Sequence, residues 1–129
     1  MASGMRAVTL SVMLATTAGL SGCLFAAAAG AGGAIALSGH TAEAIVQRSV
    51  ADMASAAERV LADEQVSISA SHTENSGARR IFEGKKGDLD VTVTIERTEG
   101  GAKLQVSAQR TVATWDDDYA KELLAKIIA

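Results

Sequence analysis

Residues 87–110 read GDLDVTVTIERTEGGAKLQVSAQR, and this stretch decides the fold. Apolar residues occupy every second position in two runs, which are Leu89, Val91, Val93 and Ile95, then Ala102, Leu104, Val106 and Ala108. Glu99-Gly100-Gly101 separates the runs and is typical of a turn. A period of two predicts antiparallel strands with one buried face. Because a slip of one residue would bury the intervening charges, the register is well specified.

Further strands precede this pair. In residues 66–71, Val66, Ile68 and Ala70 alternate with serines, and we expect the three to face the core. The cluster at residues 74–77, ENSG, indicates a turn before residues 79–85, and residues 86–88, KGD, indicate another. Residues 42–48, with Ile45 and Val46, predict a short strand nearer the N terminus.

Two amphipathic helices are predicted around these strands. Ser49 is a plausible N-cap for the first, and Asp116-Asp117-Asp118 precede the second. Carboxylates at a helix N terminus suit the helix dipole, so the aspartates predict a cap. A calcium site is the alternative, but three adjacent residues cannot all face one ion. The apolar stripes are Val50, Met53, Ala54, Ala57, Val60 and Leu61, then Ala120, Leu123, Leu124, Ile127 and Ile128.

The predicted fold class is α+β: a two-layer sandwich in which an antiparallel sheet of about four strands carries two helices on one face, in the order β-α-β-β-β-α. This domain spans residues 41–129. The uncovered face is either solvated or a docking surface for a wall or envelope partner. Its predicted residues are Ser67, Ser69, Ser71, Thr92, Thr94, Lys103, Gln105 and Ser107.

The sole cysteine ends the tetrapeptide Leu20-Ser21-Gly22-Cys23. This motif resembles the lipobox of bacterial lipoproteins. The resemblance implies that a signal peptidase recognises Leu20, Ser21 and Gly22 and cuts before Cys23, whose thiol carries a diacylglycerol. Residues 1–22 also fit a signal peptide, with Arg6 followed by an apolar run. Two or three acyl chains would make release from a membrane very slow.

Residues 23–40 form a membrane-proximal segment rich in alanine and glycine. Glycines at 30, 32 and 33 disfavour a helix. The segment is interpreted as an apolar stalk beside the anchor, and a glycine-zipper element inside the bilayer is the alternative. If Cys23 is not processed, residues 7–39 form an uncharged stretch long enough to span a membrane.

These features together resemble an uncharacterised family of small proteobacterial lipoproteins, classified as a domain of unknown function. The resemblance covers nearly the whole chain, and its best local matches are residues 87–110 and WDDDYAKELLAKI, residues 115–127. The family usually has a glycine just before the acidic residue that opens the last helix, whereas this chain has Trp115 and Asp116 there. The family has no known activity, so the resemblance implies no catalytic residue and no cofactor.

Charge and composition exclude several function classes. After Arg6 is removed, 11 basic and 15 acidic residues give the mature part a net charge of 11 − 15 = −4, which argues against nucleic acid and against electrostatic docking on anionic lipid. With its single cysteine acylated, the chain forms no intramolecular disulfide. No metal is expected, because no cysteine is free to help His40, beside the membrane, or His72 bind zinc. His72 is interpreted as a surface histidine near a turn, and a metal contact shared with Glu74 is the alternative.

The sequence favours a non-catalytic envelope lipoprotein with an adaptor or structural role. The alternative is a periplasmic module that binds a small apolar ligand or a partner, in a cleft that an underfilled, alanine-rich core would leave. Trp115 and Tyr119 are expected to cap the core edge, with ligand stacking as the alternative. Leu24 is not the aspartate that commonly retains lipoproteins in the inner membrane, so the outer membrane is favoured.

Overall fold

A computed structural model describes residues 34–129 of the chain. The predicted signal peptide, the predicted lipobox and most of the segment interpreted as a stalk lie outside these residues. The described part contains seven strands and two helices in one antiparallel sheet and one helical layer. The strands are β1 (Ala36–Ser38), β2 (Thr41–Val46), β3 (Ser67–Glu74), β4 (Arg79–Lys86), β5 (Leu89–Thr98), β6 (Gly101–Thr111) and β7 (Thr114–Trp115), and the helices are α1 (Val50–Asp63) and α2 (Asp117–Ile128).

The predicted α+β class is confirmed, but the prediction of about four strands is wrong. The sheet has the order β1-β2-β6-β5-β4-β3, and β7 pairs with the far end of β6. β4 shows only a weak alternation of apolar and polar residues. Its two buried positions are Phe82 and Gly84, and glycine supplies no apolar side chain. β1 and β7 have three and two residues, which is too short for any period to register.

The central pair of strands has the predicted register. Val93 lies opposite Val106, and Ile95 lies opposite Leu104. All four side chains are fully buried. β2 extends the sheet on the other side of β6, so the buried face continues onto β2.

Both helices pack their predicted stripes on this face. Ser49 caps α1, because its hydroxyl oxygen accepts a hydrogen bond from the amide of Asp52 at 3.0 Å. Every predicted stripe residue of both helices is buried, and Ala56 joins them. Within residues 34–129, no helix has both the length and the apolar character needed to cross a bilayer.

The edge strand β3 departs from the prediction that Ile68 and Ala70 face the core. Ile68 is 41% exposed and Ala70 is half-buried, whereas Val66, just before the strand, is buried. A β-bulge between Ile68 and Ala70 interrupts the pairing with β4. Bulges bend an edge strand away from regular pairing and make it a poorer template for another chain.

Glycine at position 101 is required by a close approach of two backbones. Gly101 begins β6 with φ +155°, a conformation that side chains rarely adopt. A Cβ atom there would collide with the carbonyl oxygen of Val46. The turn after β5 therefore lies directly against the end of β2, and this contact forms one wall of a groove described below.

Candidate functional site

The predicted lipid-attachment residues Leu20, Ser21, Gly22 and Cys23 lie outside the described residues. The described chain begins at Ala34, which is 34 − 23 = 11 residues after Cys23. Eleven extended residues reach at most roughly 40 Å. β1 already pairs with β2 from Ala36, so the sheet includes part of the segment interpreted as a stalk.

His40 lies in the tight turn between β1 and β2 and contacts the start of α2. Its ring stacks on Trp115 with ring centroids 5.0 Å apart and planes 1° apart. Its Nδ1 lies 3.0 Å from Oδ1 of Asp117. The half-buried Trp115 therefore stacks on a histidine of the N-terminal hairpin. The contact fixes this hairpin to the C-terminal helix.

The second histidine does not pair with its sequence neighbour. His72 Nε2 lies 3.3 Å from Oε2 of Glu83 on the adjacent strand, and both side chains are about half exposed. Glu74 instead lies 3.5 Å from Nε of Arg79. In the described part of the chain, no three histidine, cysteine, aspartate or glutamate side chains are grouped so that they could hold a metal ion.

The three aspartates before α2 point to different partners. Asp116 is the N-cap, because its Oδ1 accepts a hydrogen bond from the amide of Tyr119 at 3.0 Å, which confirms the predicted cap. Asp116 Oδ2 also accepts from Arg110 at 3.2 Å. Asp117 faces His40, and Asp118 is almost fully exposed near Lys121. This divergence does not favour a shared calcium site.

A polar cluster around Glu64, at the end of α1, joins three elements. Its carboxylate accepts hydrogen bonds from Lys126 at 2.8 Å, from the Tyr119 hydroxyl at 3.2 Å and from Lys86 at 3.5 Å. The ammonium of Lys86 also lies 5.0 Å from the centroid of the Tyr119 ring. Tyr119 packs against the core, as predicted for a residue at its edge.

The hydrogen bonds of this cluster form a structural clamp between α1, α2 and β4, and they shift the pKa values of its groups. The hydrogen bond from Lys126 lowers the pKa of Glu64, although partial burial opposes it. Burial, together with the nearby Glu64 charge, raises the pKa of Tyr119 to about 12. Glu64 is therefore ionised and Tyr119 neutral at neutral pH, and in these states the carboxylate accepts a hydrogen bond from the phenol. Sequence reasoning missed Glu64 because its helical partners lie 55 and 62 residues away.

A groove of about 570 Å³ opens at the sheet end where α1 begins. Its walls include Arg48, Ser49, Arg97, Thr98 and Gly101. A smaller groove, of about 370 Å³, lies beside the chain entry, with Ala34, Ile45 and Lys103 in its lining. Sequence reasoning missed both grooves because they join residues from separate turns and strand ends.

The sheet face opposite the helices is open and polar. Its central rows pair Thr92 with Ser107 and Thr94 with Gln105 across β5 and β6. Gln105 also donates a hydrogen bond to Glu43 on β2 at 2.8 Å. The predicted side chains on β5 and β6 are half-buried, and the predicted serines on β3 are exposed.

The chain was compared with known proteins at two levels. No protein-family model matches it. No curated protein matches it either.

Proposed function

We propose that the protein is a non-catalytic lipoprotein of the bacterial envelope, anchored through acyl chains on Cys23. The observation that carries this proposal is the tetrapeptide Leu20-Ser21-Gly22-Cys23, which lies 11 residues ahead of a folded domain. A tether of that length would hold the domain within roughly 40 Å of the membrane surface. By resemblance to lipoprotein sorting in Gram-negative bacteria, Leu24 after the cysteine favours the outer membrane, on its periplasmic face.

The attachment of the N-terminal hairpin to the rest of the domain supports a tethering role. β1 pairs with β2 through Ala36 and Glu43, and the turn between them is held to α2 by His40. A force applied through the anchor would therefore reach the sheet and the helix layer together. This arrangement suits an element that keeps a partner or a structure at the membrane.

The state of the ionisable groups supports a non-catalytic role. Arg110 lowers the pKa of Asp88 through a 2.6 Å hydrogen bond, and the pKa of Lys126 is raised by its pairing with Glu64. These shifts hold both groups in their charged forms at neutral pH. Perturbations at catalytic sites commonly move a pKa toward neutrality instead.

Core packing favours this role over a module for a small apolar ligand. Such a module would need space between the helices and the sheet. Phe82, Met53 and Leu123 are at most 2% exposed there, and the two grooves described above are open at the surface. A partner protein of the envelope would instead meet the open sheet face, whose hydroxyl and amide groups offer hydrogen bonds.

Membrane fractionation of a Gram-negative host tests the proposal. The wild-type protein is expected in the outer-membrane fraction of a density gradient, and Cys23→Ala is expected to leave that fraction because it cannot accept the thioether lipid. Leu24→Asp is the matched variant and should keep the lipid while moving the protein to the inner membrane. If the Cys23→Ala variant fractionates like the wild type, the lipid anchor is refuted.

A further inference from the structure

We propose that the groove between the start of α1 and the turn joining β5 to β6 binds the phosphate of an anionic glycerophospholipid. This inference rests on the proposed function, because the lipid would belong to the membrane in which Cys23 is anchored. We call this groove of about 570 Å³, lined by Arg48, Ser49, Arg97, Thr98 and Gly101, the headgroup groove.

The lining of the headgroup groove carries positive charge without a neutralising carboxylate. Arg48 and Arg97 both line it, and within residues 34–129 neither forms an ion pair. Asp52 and Glu99 are close in sequence but do not line the groove. Arginine side chains match a phosphate group well because their donors form a planar fork.

Arg48 has N–H donors that are not used within the domain. Arg48 donates one described hydrogen bond, to the carbonyl oxygen of Ile128 at 3.2 Å, out of five N–H groups that a guanidinium offers. This bond holds the Arg48 side chain against the end of α2. Because the acceptor is a neutral carbonyl group, the positive charge of the guanidinium is not neutralised. The groove therefore presents cationic guanidinium donors.

The chain enters the domain at the same end of the sheet. The pairing of Ala36 with Glu43 places Ala34 level with Ile45, and Ala34 and Ile45 share the smaller groove. Two residues after Ile45, Gln47 already lines the headgroup groove. At about 3.4 Å per residue, the two positions are roughly 7 Å apart along the strand. A tether that leaves from Ala34 toward a membrane would therefore bring this end of the sheet toward the lipid headgroups.

The overall negative charge determines how the groove acts. A net charge of 11 − 15 = −4 for the mature chain disfavours long-range attraction to an anionic surface. Recognition by the two arginines would therefore begin only after the anchor has brought the domain within reach. Screening limits such contacts to roughly 8–10 Å at physiological salt. The contact would orient the domain on the membrane and leave the open sheet face available to a partner.

Nuclear magnetic resonance of the full-length protein tests this inference. The protein is purified from bacterial membranes in a non-ionic detergent and titrated with dihexanoylphosphatidylglycerol, with dihexanoylphosphatidylcholine and with inorganic phosphate. Ala51, Gly100 and Gly101 all line the headgroup groove, and we expect saturable shifts of their amide signals with the anionic lipid. The zwitterionic lipid should bind at least about fivefold more weakly, because its choline group opposes the arginines.

Two variants with the same change of charge sharpen the test. Arg97→Gln should weaken the apparent affinity about fivefold, which corresponds to about 1 kcal/mol for a cationic side chain at an anionic surface. Arg59→Gln is the control, because Arg59 is exposed on α1 and does not line the groove. Its affinity should equal that of the wild type. Unchanged signals from Val93 and Leu123 would show that the core is intact in both variants.

Several outcomes would overturn the inference. These are no groove shifts with the anionic lipid, equal shifts with both lipids, or equal weakening in both arginine variants. Shifts with inorganic phosphate but not with phosphatidylglycerol would reveal a free-phosphate site and would refute the lipid source. The readout comes from groove amides, so an unacylated chain would give the same titration. Failure of headgroup binding and failure of the lipid anchor are therefore separate results.

Discussion

Replacement of Glu64 by glutamine tests whether the polar cluster at the end of α1 fastens the helices to the sheet. The variant keeps the shape of the side chain but removes its charge, and it weakens the hydrogen bonds from Lys126, Lys86 and the Tyr119 hydroxyl. The Glu64 side chain is only 17% exposed, so water has little access to the site and compensates poorly for the lost interactions of the carboxylate. The two lysines are 46% and 38% exposed, so solvent screens part of the loss.

We expect Glu64→Gln to lower the free energy of unfolding by about 1–2 kcal/mol at pH 7. In a domain of this size the melting temperature should then fall by roughly 4–16 °C. Urea denaturation followed by circular dichroism measures the change. The control is Glu122→Gln, because Glu122 is 57% exposed and pairs with the same Lys126 at 3.4 Å. Its cost should stay below about 0.5 kcal/mol.

The effect should depend on pH in one direction. The folded-state pKa of Glu64 lies below its ordinary value of 4.5. The stabilisation is therefore complete above about pH 4.5 and is lost as the pH falls through the folded-state pKa. The wild type and Glu64→Gln should converge in stability once the pH has fallen below the folded-state pKa of Glu64. Equal costs for the two glutamate variants at pH 7, or a difference that persists unchanged at low pH, would refute the clamp.

Two further changes test the packing of the sheet and of the helix layer, each by the same urea denaturation. Gly101→Ala should lower the free energy of unfolding by more than about 2 kcal/mol, because the new Cβ meets the Val46 carbonyl oxygen. Gly87→Ala, at φ +63° in open space, should lower it by about 1 kcal/mol. Equal losses of stability would contradict the close approach of the two backbones. Leu123→Ala should lower the free energy of unfolding by about 3 kcal/mol, since Leu123 is fully buried. Ile45 is 58% exposed, so Ile45→Ala should change that free energy by no more than about 0.5 kcal/mol. A cost below 1 kcal/mol for Leu123→Ala would show that α2 is not packed as described.

The elements with a strong period were predictable from sequence. The stripe of α1 and the alternation of β5 and β6 extend over enough residues for burial to impose a pattern. The seven-strand sheet was not predictable, because β4 places Gly84 on its core face and β7 has two residues. Ile68 was misassigned because alternation does not reveal that a strand lies at an edge or contains a bulge.

The polar contacts between distant segments were not predictable at all. Glu64 meets Tyr119 and Lys126, and His40 meets Asp117, 77 residues away. No local spacing signals such contacts, because they depend on how α2 folds back over the sheet. The Asp116 cap, in contrast, was predictable since its partner amide is three residues away. A helix cap depends on residues that are adjacent in the sequence, so the sequence alone can predict it. The groove between Arg48 and Arg97 joins residues that are distant in the sequence, so it exists only after folding.

The mass of the intact protein, extracted from the membranes of a bacterial host, tests the central claim most directly. We expect a chain that begins at Cys23 and is heavier than the unmodified peptide by the mass of a diacylglycerol, with or without a third acyl chain. The Cys23→Ala variant should lack this added mass. A chain that retains residues 7–20 in both proteins would mean an uncleaved apolar segment at the N terminus, and it would contradict the lipoprotein account.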